Sequence, residues 1–102
     1  MNLEQFLNED KSYNQEVDLE TRHRIRLSVA AYAYEVMGQP IMTDAEFDKL
    51  AKQIDLSINT RRPDMDKWFR ENFEPHTGMW IHTHPEKRRL DHLAICILTK
   101  RW

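Results

Sequence analysis

Three groups of side chains have the types and spacings that do chemistry. Asp44 and Asp48 lie four residues apart with Phe47 beside them, so on a helix both carboxylates share one face next to a ring. Such a face can hydrogen-bond a polar ligand while the ring stacks on it. The plainer reading is that the acids complement the positive end of that helix. His82 and His84 are two apart. On an extended segment two such imidazoles point the same way and could chelate zinc, with His76 or Asp91 completing a hydrolase site. Arg22, Arg24, Arg26, Arg88 and Arg89 could meet phosphate or an acidic partner, but as structure they read as solvated surface. Cys96 sits inside an apolar run and reads as a small buried residue rather than a nucleophile.

The elements that would position these groups follow from punctuation and period. Asp18 to Met37 reads as the first long helix, with Asp18 as N-cap. Leu19, Arg22, Ile25, Val29, Tyr32, Ala33 and Val36 trace its expected inner face. Gly38 suits the C-terminal stop and Pro40 forbids resumption. Thr43 and Glu46 form a capping box for a second helix from Asp44 to about Leu56, with Phe47, Leu50, Ala51 and Ile54 inward. Residues 57 to 63 form a loop. Pro63 opens a third helix, with Asp64 and Asp66 behind it, and Met65, Trp68, Phe69 and Phe73 form a core stripe closed by Pro75 and Gly78. Upstream, Leu3, Phe6 and Leu7 make a short helical pattern that staples onto the body.

The C-terminal region has two readings. Thr83 and Glu86 make a second capping box, with Pro85 in the first turn of a helix that runs to about Lys100 through Leu90, Leu93, Ala94, Ile97 and Leu98. The run from Leu93 to Leu98 suits a short buried strand equally well, paired with residues 79 to 83 as a hairpin. The expected fold class is all-α: one domain over residues 1 to 102, a small bundle of about four helices, with a short C-terminal β-hairpin as the alternative. Its core would be Ile25, Val29, Tyr32, Val36, Phe47, Leu50, Ile54, Trp68, Phe69, Trp80 and the Leu90–Leu98 stripe.

Residues 32 to 50 resemble a known helical hairpin. Tyr32, Tyr34, Val36 and Met37, then Pro40, then Asp44, Ala45, Glu46, Phe47, Asp48 and Leu50 are similar to the N-terminal helical (Ia) domain of NAD-dependent bacterial DNA ligases. In that family a Tyr-rich helix end meets a helix that opens Asp-Ala-Glu-Tyr-Asp. The similarity spans roughly residues 22 to 55. It implies a hairpin of about residues 18 to 56 with a C-terminal extension from 57 to 102. It also implies a site for the nicotinamide mononucleotide (NMN) half of NAD, with rings stacking on the nicotinamide and aspartates bonding its amide and ribose. On this sequence those residues are Tyr34, Asp44, Phe47 and Asp48. Glu35 stands where the family has histidine and Phe47 where it has tyrosine. A glutamate there repels an anionic nucleotide, and Phe47 lacks the hydroxyl. No Lys-x-Asp-Gly sequence is present for adenylation.

His82, Thr83, His84 and Pro85 after Trp80 are also similar to the His-x-His-Pro segment of metal-dependent deubiquitinase-like (JAMM) proteases. That family needs a downstream serine and aspartate, where this chain has His92 and Ile95, and a strand-rich scaffold with an upstream glutamate. The better reading of the segment is structural.

Composition narrows the classes. The 102 residues are 40% hydrophobic and 31% charged with only two glycines, which favours one α-rich domain. The net charge of −2 offers no bulk attraction for DNA, although residues 1 to 20 hold six acids against one lysine and residues 86 to 102 five bases against two acids. A single cysteine precludes an intrachain disulfide and suits a reducing compartment. No signal peptide is expected, and the longest apolar run is too short to span a bilayer. The expectation is a cytoplasmic, non-enzymatic binding module resembling a detached ligase Ia domain, such as bacteria, phages and mobile elements would carry. Its expected partner is another protein, with accessory or inhibitory action. An NMN or NAD module and a zinc hydrolase are the alternatives, and neither nucleic acid nor membrane is an expected partner.

Overall fold

A computed structural model describes the backbone of residues 3–99 and the side chains of residues 15–99. Four α-helices and one 3₁₀ turn make up the fold: α1 (Leu3–Glu35), α2 (Asp44–Gln53), α3 (Pro63–Asn72), the 3₁₀ turn (Met79–Thr83) and α4 (Lys87–Thr99). No strand occurs among the described residues, so the all-α expectation holds and the run from Leu93 to Leu98 is helix. The hairpin alternative fails for a physical reason. Residues 79 to 83 wind into a 3₁₀ turn that buries Trp80 and Ile81, leaving no extended partner to pair with.

The first helix is longer than its caps suggest. Asp18 is not an N-cap but an interior residue of a continuous 33-residue helix. Nothing between residues 12 and 18 breaks a helix, and Asp18 instead pairs with Arg61 at 2.7 Å. The backbone of Leu3, Phe6 and Leu7 belongs to α1, but their proposed stapling lies outside the described side chains. The inner face is also rotated from expectation. Val29, Tyr32 and Ala33 are buried, whereas Leu19, Ile25 and Val36 are exposed and Arg22 lies on the surface. Val17, Glu20, Arg24, Leu27, Ala30 and Ala31 occupy the interior instead. Apolar residues surround α1 on several sides, so period alone does not choose the face. The small side chains of Ala30, Ala31 and Ala33 let neighbouring elements approach closely, and α2, the 3₁₀ turn and α4 all pack on α1.

The junctions after α1 follow local chemistry. The Gly38 backbone has φ of 67°, and the Gln39 N–H turns back to the Ala33 carbonyl at 2.9 Å. A Cβ at Gly38 would meet nothing within 4 Å, so a substitution there tests backbone strain alone. Gly38→Ala should cost about 1 kcal/mol, seen as a thermal midpoint lower by roughly 4–8 °C. An unchanged midpoint would mean that the turn relaxes out of the left-handed region. Thr43 caps α2, its hydroxyl accepting the Glu46 N–H at 3.1 Å. The second helix ends at Gln53 rather than Leu56, because Ile54 turns extended. Pro63 occupies the first turn of α3 as expected.

The core is an aromatic layer between α1, α3 and the 3₁₀ turn. Phe69 and Trp80 are buried, and Trp68 packs edge-on against both. Trp68 itself is only half-buried, as are Phe47 and Ile54. Each stacked or edge-on pair adds roughly 0.5–1.5 kcal/mol beyond its area. The Trp68 indole N–H donates to the Thr83 carbonyl at 3.0 Å, and Tyr32 ties α1 to α4 by donating to Asp91 at 3.1 Å.

The largest departure from the sequence-based expectation is Arg24. It is buried rather than solvated, with 4% of its surface exposed. Its Nε donates to Glu20 at 2.6 Å and its Nη1 to Asp66 at 2.8 Å. Its Nη2 donates to the carbonyls of Asp55 and Ile58, each at 3.0 Å. Glu20 also accepts the Asp55 N–H, and Asp66 accepts the Thr60 N–H and hydroxyl. One guanidinium thus joins α1, the loop between α2 and α3, and α3. Its planar fork can serve four acceptors at once, which an ammonium cannot do with the same geometry.

Candidate functional site

The end of α1 and the start of α2 diverge around the turn at Gly38, leaving an open cleft of about 370 Å³. Tyr34, Asp44, Phe47 and Asp48 all line it. Their convergence has local causes. Tyr34 lies in the last helical turn of α1, and the Thr43 cap starts α2 so that Asp44, Phe47 and Asp48 fall on one side of its first turns. Tyr34 is 57% exposed, Phe47 half-buried, and both aspartates exposed.

Glu35 is part of the same cleft, and His76, Thr77 and Gly78 close its far wall. Gly78 matters because the chain passes tightly over α1 there. A Cβ at that position would lie 3.4 Å from the Glu35 Cγ and Oε1 and 3.5 Å from the Ala31 Cβ. The contribution of residues 76 to 78 was not legible from spacing, since it depends on a turn folding back across more than forty residues. The charged lining consists of three carboxylates, Glu35, Asp44 and Asp48, with no lysine or arginine. Two rings and three acids around an open cleft have the chemistry that favours a cation with a flat or apolar face.

The other candidate residues are dispersed. His82 is exposed, while His84 is 7% exposed and packs against Trp68 with ring centroids 4.8 Å apart. The His84 Nδ1 accepts the Glu86 N–H at 3.0 Å. This contact corrects the expected capping box: His84, not Thr83, organises the entry to α4, which begins at Lys87. The Thr83 hydroxyl donates instead to the Trp80 carbonyl. Burial pushes the His84 imidazole down to about 4, with the Arg62 and Lys87 cations adding to the effect against an opposing pull from Glu86. Among the described residues, no three His, Cys, Asp or Glu side chains come together as they would to hold a metal ion.

The arginines differ among themselves. Arg24 is consumed in the interior, while Arg22, Arg26, Arg88 and Arg89 are exposed on α1 and α4. Cys96 is half-buried rather than buried, its sulfur 3.8 Å from the His92 Nε2 one turn away.

No protein-family model matches this chain, and no solved structure matches it. No described helix is long and apolar enough to cross a membrane.

Proposed function

We propose that this chain is a non-enzymatic binding module that acts through protein–protein contact, as an accessory or inhibitory factor, on a scaffold resembling the ligase Ia hairpin. The observation that carries this reading is the cleft in which Tyr34 and Phe47 stand with Glu35, Asp44 and Asp48 and with no lysine or arginine. A lysine or arginine from a partner suits it, with its charge met by the carboxylates and its flat or apolar face by the rings. Val36 and Met79, next in the chain to the lining residues Glu35 and Gly78, are both exposed. Aromatic and methionine side chains are enriched at contact surfaces.

One observation favours a second reading. The four residues to which the ligase resemblance gives ligand contacts, Tyr34, Asp44, Phe47 and Asp48, share this one cleft, and the nicotinamide ring of NMN or NAD is itself a flat cation. The phosphates of those nucleotides would face three carboxylates, which places this reading second.

Two measurements separate the readings. Calorimetric titration with NMN and NAD should give no detectable heat at millimolar nucleotide. Micromolar binding that disappears in both Asp44→Ala and Asp48→Ala would replace the protein-contact reading with the nucleotide one. In the second, a partner captured by the native protein is titrated against the Asp44→Lys/Asp48→Lys double variant. Reversing two charges at the centre of a contact should weaken affinity by about 100-fold, equivalent to roughly 2.7 kcal/mol. Equal affinity would sink the reading, because the cleft would then not be the contact.

A further inference from the structure

A second groove lies between α1, α3 and α4, apart from the acidic cleft, and has the opposite character. Its volume is about 420 Å³, within the range of small-molecule sites. Ile25, Met65, Phe69, Leu90 and Leu93 line it and make it mostly apolar. Its charged lining is three arginines, Arg24, Arg62 and Arg89, against one acid, Glu86.

The pairing of those charges decides what remains for a ligand. Arg24 is held by Glu20 and Asp66, and Arg62 by Asp64 and Glu86 at 2.8 Å each. Glu86 is therefore already engaged. Arg89 has no ion pair among the described residues and is exposed at the edge of the groove.

Two further polar groups on this groove lack partners. Ser28 lies 1% exposed on the groove side of α1, and its hydroxyl has no hydrogen-bond partner. A buried hydroxyl left so costs roughly 1–3 kcal/mol. His84 also lines the groove. Because its Nδ1 accepts a backbone N–H, the proton of the neutral ring sits on Nε2. That Nε2–H has no acceptor among the described residues. An unpaired guanidinium, an imidazole N–H and a hydroxyl all call for the same complement, an anionic oxygen acceptor. The five apolar side chains call for a hydrocarbon body.

We infer that the groove between α1, α3 and α4 binds a small amphipathic carboxylate, its apolar chain between Ile25, Phe69 and Leu93 and its carboxylate at Arg89. This site is independent of the acidic cleft. Neither site's failure bears on the other.

The probe is decanoate, followed by amide NMR shifts and calorimetry on the full chain and compared with the decyltrimethylammonium cation of the same chain length. Saturable decanoate binding is expected, with shifts concentrated at residues 25, 28, 65, 84 and 93. The cation should not bind there. Arg89→Glu, at an exposed position that leaves packing intact, should weaken decanoate at least tenfold. Ser28→Ala should weaken it severalfold, and Leu93→Trp should abolish it by filling the groove. Absence of saturable shifts at millimolar decanoate, equal binding of the cation, or indifference to Arg89→Glu would each overturn the assignment. Should Leu93→Trp fail to fold, the Arg89→Glu comparison decides alone.

Discussion

Arg24→Ala is expected to lose about 3–5 kcal/mol of folding stability, the cost of breaking a buried ion pair by removing one partner. The size follows from what the substitution leaves behind. Glu20 and Asp66 are each 3% exposed and would face one another's surroundings without a cation. The carbonyls of Asp55 and Ile58 would lose their donor as well. A domain of this size has about 5–15 kcal/mol in total, so the variant should be at or near the threshold of folding. Urea unfolding followed by circular dichroism measures this directly. Arg24→Lys should recover only part of the loss, because an ammonium cannot span the same four acceptors. Arg24→Met combined with Asp66→Asn should be more stable than Arg24→Met alone, since one of the two stranded charges is gone. A loss under about 1 kcal/mol for Arg24→Ala would mean that water reaches the carboxylates and that the network is a surface pair in effect.

Acid should weaken the fold through His84 well before ordinary carboxylates titrate. The unfolded imidazole takes a proton near its usual 6.5, whereas burial among Trp68 and Phe69 holds the folded one down at about 4. Between those values the unfolded state binds the extra proton, so stability falls as pH falls. The contribution is complete above neutrality, declines from about pH 6.5, and is exhausted near pH 4. At pH 5 the native protein should be about 2 kcal/mol less stable than at pH 7.5. His84→Gln keeps an acceptor for the Glu86 N–H and cannot titrate, so the native protein's stability should fall relative to the variant's by about the same 2 kcal/mol as pH drops to 5. Hydrogen bonds from Ser57 hold Asp55 below the usual carboxylate range, and Arg62 does the same for Asp64. Neither therefore obscures this window. Parallel pH profiles for native protein and His84→Gln would show that the imidazole is wet in the folded state.

What could be read in the sequence was whatever depends on neighbours in the chain. Gly38, the Thr43 cap and Pro63 each act within one turn, and each does what its chemistry dictates. The aromatic stripe of α3 was legible in the same way, from spacing, whereas the run from Leu93 to Leu98 suited helix and strand alike until the 3₁₀ turn removed its pairing partner. Arg24 was not, because its partners lie up to 42 residues away and nothing local distinguishes it from Arg22 or Arg26. Leu19 and Ile25 lie outward although their period suggests an inner face, because α1 has apolar residues on several sides and tertiary packing chooses among them. The burial of His84 was not legible for a related reason. Its spacing from His82 does not distinguish the two rings, while the fold exposes one and buries the other. For the cleft, the positions of Tyr34, Asp44, Phe47 and Asp48 came from one local motif. The wall formed by residues 76 to 78 required the tertiary fold.

The cleft's two principal walls also differ in how freely they can move. At 33 residues, α1 spans roughly 50 Å at the helical rise, nearly the 53 Å long axis of the molecule. The residues beneath the cleft, Ala30 and Ala31, lie where other elements press on that axis, so their amides should exchange with solvent only when the whole molecule opens. The opposite wall, α2, is anchored mainly by Leu50 and Ala51 and is tethered by the loop from Val36 to Thr43. Lifting of α2 while α1 stays in place is the expected local opening. On the proposed reading a partner would meet one fixed jaw and one hinged jaw, and closing the hinged jaw would show as slower exchange in α2 alone.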